Sequence, residues 1–351
     1  MTDPHDPLLI WGAGAMGGTI GGVLARAGHA VRFVDRDGAH VAALNRDGLR
    51  VTGPQAEFTV PADAVTPSAL TGRYGRMLLC VKAHHTEEAI REAALFLTDD
   101  GWVASIQNGL NEPVIAAEVG AARTIGAFVN FGADVLEPGV VHWGGRGAVV
   151  VGELDGRSTE RVRALHDLLR IFEPNAVLTD TIFGYLWSKL AYGALLFVTA
   201  LTDDPIADAL ADREHRPVYV AIAREVCRVA HAEGIPLQAF DGFDPAAFAP
   251  DASLATAHAS LDALVSFNRR SAKTHSGIWR DLAVRRRRTE VDAQLGPVAG
   301  AGRRLGVPTP VVDAVITQIH EIEAGARRQE RANVDVLVAV VGGTPDREER
   351  P

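Results

Sequence analysis

Cysteine is nearly missing from this 351-residue chain, which has two, Cys80 and Cys227. They stand in separate apolar contexts with no ligand spacing, so neither a disulfide framework nor a metal site is expected, and a reducing, cytoplasmic compartment fits. Positive charge is in deficit too: 35 Lys and Arg against 44 Asp and Glu leave a formal net charge of −9. That argues against a nucleic-acid partner, because phosphates must be neutralised by a basic surface. The opening Met1-Thr-Asp-Pro-His-Asp-Pro7 lacks the charged and apolar regions of a secretory leader. A charge-free membrane-length run is also lacking. The nearest approach, 182–201, carries Lys189 near its middle with Asp180 and Asp203 just outside. Hydrocarbon would be costly for such a segment, so no membrane is expected and a buried helix is the better reading. Internal repeats and low-complexity tracts are absent. What remains, 47% hydrophobic and 23% charged, suits a chain long enough for two ordinary globular domains.

Glycine is what the N-terminus has in the right places. An apolar run over 8–11 falls into Gly12-Ala13-Gly14-Ala15-Met16-Gly17. A helix-like stretch ending at Gly28 follows, then a second apolar run over 31–34 closed by Asp35. Strand, tight turn, helix and acidic strand end, arriving in that order, are the layout that holds a dinucleotide pyrophosphate on a helix N-terminus. The first glycine permits the turn, the second lets backbone approach phosphate, and the third lets helix pack on strand. The end of the second strand bears on the cofactor. Asp35 suits the ribose hydroxyls of NAD and repels the 2′-phosphate of NADP, whereas Arg36 would pair with that phosphate. The reading leans to NAD through Asp35, with NADP open through Arg36.

Short apolar runs at 8–11, 31–34, 77–81, 102–106 and 124–129 alternate with helical stretches, which predicts a parallel α/β sheet. Residues 140–143 and 148–152, separated by Gly144-Gly-Arg-Gly147, predict an antiparallel hairpin added to the sheet edge. Residues 158–172 have helical spacing, and 177–178 suggests one last short strand. From about residue 183 the apolar spacing is helical throughout, over 186–201, 218–233, 281–305 and 310–324, with Gly234-Ile-Pro236 and Gly306-Val-Pro308 as stops. The expected organisation is therefore a dinucleotide-binding α/β domain over 1–180, an all-helical domain over 181–341, and a disordered tail over 342–351.

Further motifs follow the glycine turn in order: Val81-Lys82-Ala83, Gln107-Asn108-Gly109, Trp187-Ser-Lys189-Leu-Ala191, then Ser276-Gly-Ile-Trp-Arg-Asp281 and Thr289-Glu290-Val-Asp292. Together they resemble the ketopantoate reductase (2-dehydropantoate 2-reductase) family over nearly the whole chain. The resemblance implies a Rossmann-type domain followed by an all-α domain like the C-terminal domain of 6-phosphogluconate dehydrogenase. It also implies NAD(P)-dependent hydride transfer between a nicotinamide and the carbonyl or hydroxyl carbon of a 2-oxo or 2-hydroxy acid. Lys189 matches the catalytic lysine and Glu290 the late acidic residue of the active site. Asn108 matches an asparagine shared by cofactor and substrate, Lys82 a lysine beside the cofactor, and Ser276 or its neighbour Gly277 falls near the substrate serine. Ala133 falls where backbone meets cofactor. Between Asp281 and Glu290 the chain is one residue longer than the family pattern.

The chemistry supports a lysine at position 189. Carbonyl reduction puts negative charge on oxygen, which an ammonium can stabilise and protonate. Lys189 is the sole cationic residue between Phe183 and Leu210, in apolar surroundings that lower a lysine pKa towards working pH. The structural alternative is a lysine whose stem lies along the helix with its head in water. The family places asparagines four and eight residues after this lysine; here they are Gly193 and Phe197, and a third falls on Ile206 or Ala207. A pocket without those amides is roomier and more apolar, and predicts a substrate other than ketopantoate. Two other readings stay open: an NAD-linked catabolic dehydrogenase of a secondary alcohol or hydroxy acid, and a nucleotide sensor without chemistry. His84-His85 match no metal spacing and suit a loop surface, His275 is without an assigned partner, and Arg285–Arg288 suits a solvated face. A small oxo or hydroxy acid is the expected partner, and a homodimer the expected assembly.

Overall fold

The computed structural model describes residues 7–270 and 274–342, so the tail expected over 342–351 lies, except for Gly342, outside the described residues. The chain divides into two compact units, Met1–Ile182 and Phe183–Pro351.

The first unit is built on an eight-stranded sheet and a four-stranded one. In chain order its strands are β1 (Leu8–Trp11), β2 (Val31–Val34), β3 (Leu49–Thr52), β4 (Phe58–Val60), β5 (Asp63–Val65), β6 (Tyr74–Leu79), β7 (Leu97–Ser105), β8 (Thr124–Val129), β9 (Gly132–Glu137), β10 (Val140–Gly145), β11 (Val149–Glu153) and β12 (Val177–Leu178). Its helices are α1 (Ala15–Arg26), α2 (Gly38–Asp47), α3 (Thr86–Ala93), α4 (Glu112–Val119) and α5 (Glu160–Phe172). The large sheet runs β12-β11-β8-β7-β6-β1-β2-β5, and β11 alone lies antiparallel to its inner neighbour, β8. Because β1 pairs with β2 on one side and β6 on the other, strand order reverses beside β1. The crevice beyond the carboxyl end of that strand is where such sheets take their ligands.

The hairpin expected from 140–143 and 148–152 is not formed. β10 pairs instead with β9 and β3 in the smaller sheet, whose order is β4-β3-β10-β9, and β11 joins the large sheet against β8. Glu137-Pro138-Gly139-Val140 makes the true hairpin turn, with Gly139 at φ 81. Gly144 and Gly145 thus end β10, and residues 146–148 cross between the sheets. Its partner strand β9 was missed because its outer residues Val135, Leu136 and Glu137 are exposed, so no buried alternation marks it.

Helix α1 is held between the two sheets by four glycines. A methyl group at Gly21 would strike Phe33 and Ile10 of the large sheet, at 2.4 and 2.5 Å. At Gly18 and Gly22 it would press on Val141 and Val51 of the small one, each at 3.0 Å. At Gly17 it would lie 2.1 Å from the carbonyl oxygen of Gly12. The Gly17-Gly18 and Gly21-Gly22 pairs, one helical turn apart, present one glycine of each pair to either sheet.

The described residues of the second unit contain no strand, only an isolated bridge between Phe240 and Phe243. Its helices are α6 (Ile182–Thr199), α7 (Ile206–Ala211), α8 (Arg216–Ala232), α9 (Leu254–Arg269), α10 (Gly277–Trp279), α11 (Val291–Gln294), α12 (Gly296–Leu305), α13 (Pro310–Glu323) and α14 (Ala332–Gly342). α6 is the one described helix long and apolar enough to span a membrane, but 67% of it is buried inside the protein. It is the core helix of its unit, with Leu190, Leu195, Phe197 and Val198 sealed at 2% exposure or less. After α10 the chain forms a π-helical turn over Arg280–Val284, closed by the Arg285 N–H donating to the Arg280 carbonyl at 2.9 Å. A π turn takes up one residue more than an α turn.

Candidate active site

In the first unit, three loops leave the carboxyl ends of β1, β6 and β7 beside the reversal point. The β1 loop gives each glycine a separate task. Gly12 has φ 104, and a methyl there would lie 2.9 Å from backbone atoms of Cys80 and Val81. Gly17 is sealed against Ile10 and the Gly12 carbonyl. A methyl on Gly14, in contrast, would meet no atom within 4 Å. Gly14 caps α1 without a side-chain bond, and the first turn carries no acidic residue. The uncapped N–H groups therefore face open space, with Gly14, Ala15 and Met16 all part-exposed. That is the cradle a pyrophosphate requires, and the residues present fit a dinucleotide there.

Ala13, between the first two glycines, is fixed at both backbone groups. Its N–H donates to Asp35 Oδ2 at 2.9 Å, and its carbonyl accepts from His40 Nε2 at 3.0 Å. The other His40 nitrogen, Nδ1, accepts the Gly139 N–H at 3.0 Å, so the proton sits on Nε2 of a neutral ring. Asp35 also takes the Asp37 N–H on Oδ1, at 3.0 Å. Arg36 turns away to α3, paired with Glu88 at 2.9 Å and Glu92 at 3.6 Å. This guanidinium holds the Glu88 carboxyl below the usual carboxylate range.

The other two loops are joined by a buried amide relay. Gln107 Nε2 donates to the Val81 carbonyl and to Thr86 Oγ1, both at 2.8 Å. The Thr86 hydroxyl donates to Asn111 Oδ1 at 2.9 Å, and Asn111 Nδ2 to the Asn108 carbonyl at 2.7 Å. The relay links the loop of Lys82 to that of Asn108; both side chains are part-exposed. His84 and His85 are exposed, and Ala133 lies in β9 opposite Trp143.

In the second unit, Lys189 is part-exposed on α6 among the buried Leu186, Trp187, Leu190 and Ala191. Ser188 beside it is fully buried, its hydroxyl accepting the Gln238 N–H at 3.0 Å. Gly193, one turn beyond Lys189, is part-exposed, while Phe197, a further turn on, is sealed in the core. Glu290 caps α11. Its placement is set by Thr289, whose N–H and hydroxyl both donate to Glu323 Oε1 at 2.7 Å. Ser276 is buried and caps the short helix α10, its hydroxyl accepting the Trp279 N–H at 3.1 Å. His275 stacks on Trp279 with ring centres 4.0 Å apart, and Trp279 Nε1 donates to Asp203 at 3.1 Å. Arg285–Arg288 is exposed, and Arg285 and Arg287 both pair with the buried Asp281. Among the described residues no group of His, Cys, Asp and Glu could hold a metal ion.

The sequence model of ketopantoate reductase PanE/ApbA matches residues 8–156, and that of the ketopantoate reductase PanE/ApbA C terminal matches residues 181–323. The chain belongs to the ketopantoate reductase family. It is an NAD(P)-dependent oxidoreductase acting on CH–OH groups. The 2-dehydropantoate 2-reductase of Mesorhizobium japonicum is 28% identical over 338 residues, covering 90% of this chain and 97% of that one. A PanE/ApbA family ketopantoate reductase from Ralstonia eutropha, of known crystal structure, is 26% identical with a TM-score of 0.76, covering 91% of this chain and 99% of its own. D-mandelate dehydrogenase, solved with NADH and anilino(oxo)acetate, shares the fold at a TM-score of 0.78 and 23% identity, covering 91% and 99%.

Within this reductase, sequence reasoning missed the residues that act through others: His40, the Gln107–Thr86–Asn111 relay, and Glu323. Gln107 stood inside a quoted motif, but its reach to Thr86 depends on two strands lying side by side. Glu323 is 34 positions from Thr289, a distance over which nothing local in the chain announces a pairing.

Proposed function

We propose that this enzyme reduces the carbonyl of a 2-oxo acid other than ketopantoate, with NADH as the preferred donor and Lys189 as the general acid. The observation that carries the cofactor preference is the Arg36 ion pair. The one guanidinium that would meet a 2′-phosphate is engaged by Glu88 and Glu92 and stands beside Asp35. A phosphate arriving there meets three carboxylates against one cation, whereas ribose hydroxyls find Asp35 ready to accept. The nicotinamide, when bound, supplies the hydride. Lys189 holds a proton on its ammonium, balances charge growing on the substrate oxygen, and gives the proton up as the alcohol forms. Glu290 orients the lysine or the substrate hydroxyl. Asn108, carried on the relay-braced loop, serves both cofactor and substrate, and Lys82 the cofactor.

Support for a substrate other than ketopantoate comes from α6. Gly193 removes a side chain and Phe197 closes the next turn with an aromatic ring, so a small hydroxylated acid loses two polar contacts. In the opposite direction the same residues serve a hydroxy-acid dehydrogenase, Lys189 then accepting the proton, and NADH preference favours that second reading. The test follows absorbance at 340 nm with NADH and NADPH against a panel of 2-oxo acids that includes ketopantoate. NADH is expected to win by tenfold or more and a bulkier acid to outrun ketopantoate. NADPH preference, or ketopantoate as the best substrate, defeats the corresponding half of the proposal.

A further inference from the structure

A buried carboxyl stands beside the relay that braces the loops of Lys82 and Asn108. Glu112 opens α4, directly after Asn111, and is fully buried. Among the described residues neither of its carboxyl oxygens has a hydrogen bond of good geometry. What faces it is the Ser105 hydroxyl at the end of β7, with the N–H groups of Asn111 and Glu112 itself. Ser105 is sealed too, and its hydroxyl donates to Gln107 Oε1 at 3.4 Å. Gln107 in turn donates to the Val81 carbonyl and to Thr86, so Ser105 joins Glu112 to the relay. The charged groups on neighbouring elements are engaged elsewhere or open to water. On α3, Glu88 and Glu92 pair with Arg36, and Glu87 with Arg91. On β7, Asp99 pairs with Arg73, and Asp100 is exposed. Before β8, which is itself uncharged, Arg123 donates to the Thr98 and Gly101 carbonyls. His84 and His85 ahead of α3, and Glu118 on α4, are exposed.

We infer that Glu112 is a positioning residue for the cofactor loops, acting through Ser105: neutral, it completes the relay; ionised, it turns the Ser105 hydroxyl away from Gln107. The inference rests on the reading that Asn108 and Lys82 meet the cofactor. A hydroxyl has one proton to give, and a carboxyl is a donor only while it is protonated. Neutral Glu112 donates to Ser105, whose own proton then goes to Gln107. Ionised Glu112 accepts instead, the Ser105 proton swings to it, and the buried Gln107 oxygen is left without a donor. An orphaned amide oxygen is costly in an interior of low polarity, so the relay holds both loops less firmly. Burial pushes the Glu112 carboxyl up to about 7, which brings this exchange into the working range of pH. Cofactor affinity therefore falls as the pH rises through that value.

NADH affinity, measured by fluorescence titration from about pH 6 to about pH 8.5, tests it on wild type, Glu112→Gln and Ser105→Ala, with denaturant unfolding alongside. Wild type is expected to bind NADH about fivefold less tightly at the upper end, as the loss of one hydrogen bond would give. Glu112→Gln, whose amide donates to Ser105 at every pH, keeps the tight affinity throughout. Ser105→Ala binds at the weaker level throughout, although its unfolding still varies with pH because Glu112 still titrates. A purely structural Glu112 would alter unfolding and leave the pH profile of NADH affinity alike in all three proteins. His40, His84 and His85 are kept in every variant and cancel from these differences. The inference is overturned if wild type and Glu112→Gln share one affinity profile, or if Ser105→Ala keeps the dependence that Glu112→Gln loses. Asn108→Ala and Lys82→Ala check the reading beneath it, each expected to weaken NADH binding about tenfold at the lower pH. If neither does, the assignment of these loops to the cofactor falls and takes this inference with it.

Discussion

At the scale of single residues, Gly14 and Gly17, three positions apart, make opposite predictions from the same substitution. Gly17→Ala pushes a methyl to 2.1 Å from a backbone oxygen that has nowhere to go, so a loss of about 3 kcal/mol is expected in denaturant unfolding. Gly14→Ala adds its methyl to open space at an ordinary φ of −69, so stability should stay within about 1 kcal/mol. Its cost appears in binding: the methyl stands where the phosphates approach, and NADH affinity should fall by more than tenfold in a fluorescence titration. The charge argument at Arg36 has its own check. Glu88→Gln with Glu92→Gln frees the guanidinium, and the NADPH:NADH ratio of kcat/KM should rise about tenfold. A ratio that stays put would mean that these glutamates do not select the cofactor.

At the scale of elements, burial of carboxyls at helix N-termini sets a pH dependence. Glu112 opens α4 and is fully buried, which pushes its carboxyl up to about 7, only partly offset by N–H groups of Asn111 and Glu112 and by Ser105. Glu225 is also raised to about 7 by burial, although it accepts the Val311 and Val312 N–H groups at 3.0 and 2.8 Å where α13 begins. Both values lie above the ordinary 4.5, so the native state binds these protons more tightly than the unfolded chain. Their contribution is whole below about 4.5 and is lost as the pH rises to 7 and beyond. Gln at position 112 is neutral and nearly isosteric, so Glu112→Gln should gain up to about 3 kcal/mol over wild type at pH 8 and nothing near pH 4. Glu225→Gln should gain less, because one of the two backbone N–H groups of α13 loses its acceptor.

The same scale explains what was legible in the sequence. Strands β1 and β8 stood out because burial on both faces makes them short continuous apolar runs, and β1 was further marked by the glycine turn that follows. α6 was legible because a single lysine interrupts it. Strands β3, β4 and β5 were not, since three or four residues are too few to mark a period, and β9 was not because its outer half is exposed. The hairpin error has one cause: Gly144-Gly-Arg-Gly147 has turn composition, but the partner of β10 is chosen by Pro138-Gly139 before it. In the site, the residues proposed to touch ligand came from motifs. Those that position them, His40 and Glu323 among them, are long-range partners, invisible until strands and helices are laid side by side.

At the scale of the molecule, a cofactor that binds only the folded chain stabilises it by mass action. NADH at about one hundred times its Kd should add about 2.7 kcal/mol and raise the melting temperature by several degrees, while NADPH at the same concentration should add clearly less. Equal shifts from the two cofactors would contradict the preference argued from Arg36. Helix α1 carries a consequence of another kind. Each of its glycines at positions 17, 18, 21 and 22 weakens an isolated helix by about 1 kcal/mol relative to alanine, so α1 is poorly helical by itself. What steadies it is contact with Phe33, Val51 and Val141, the last of these more than 120 positions further along the chain. During synthesis, the glycine turn must therefore wait for β10 to leave the ribosome before it can become a binding site.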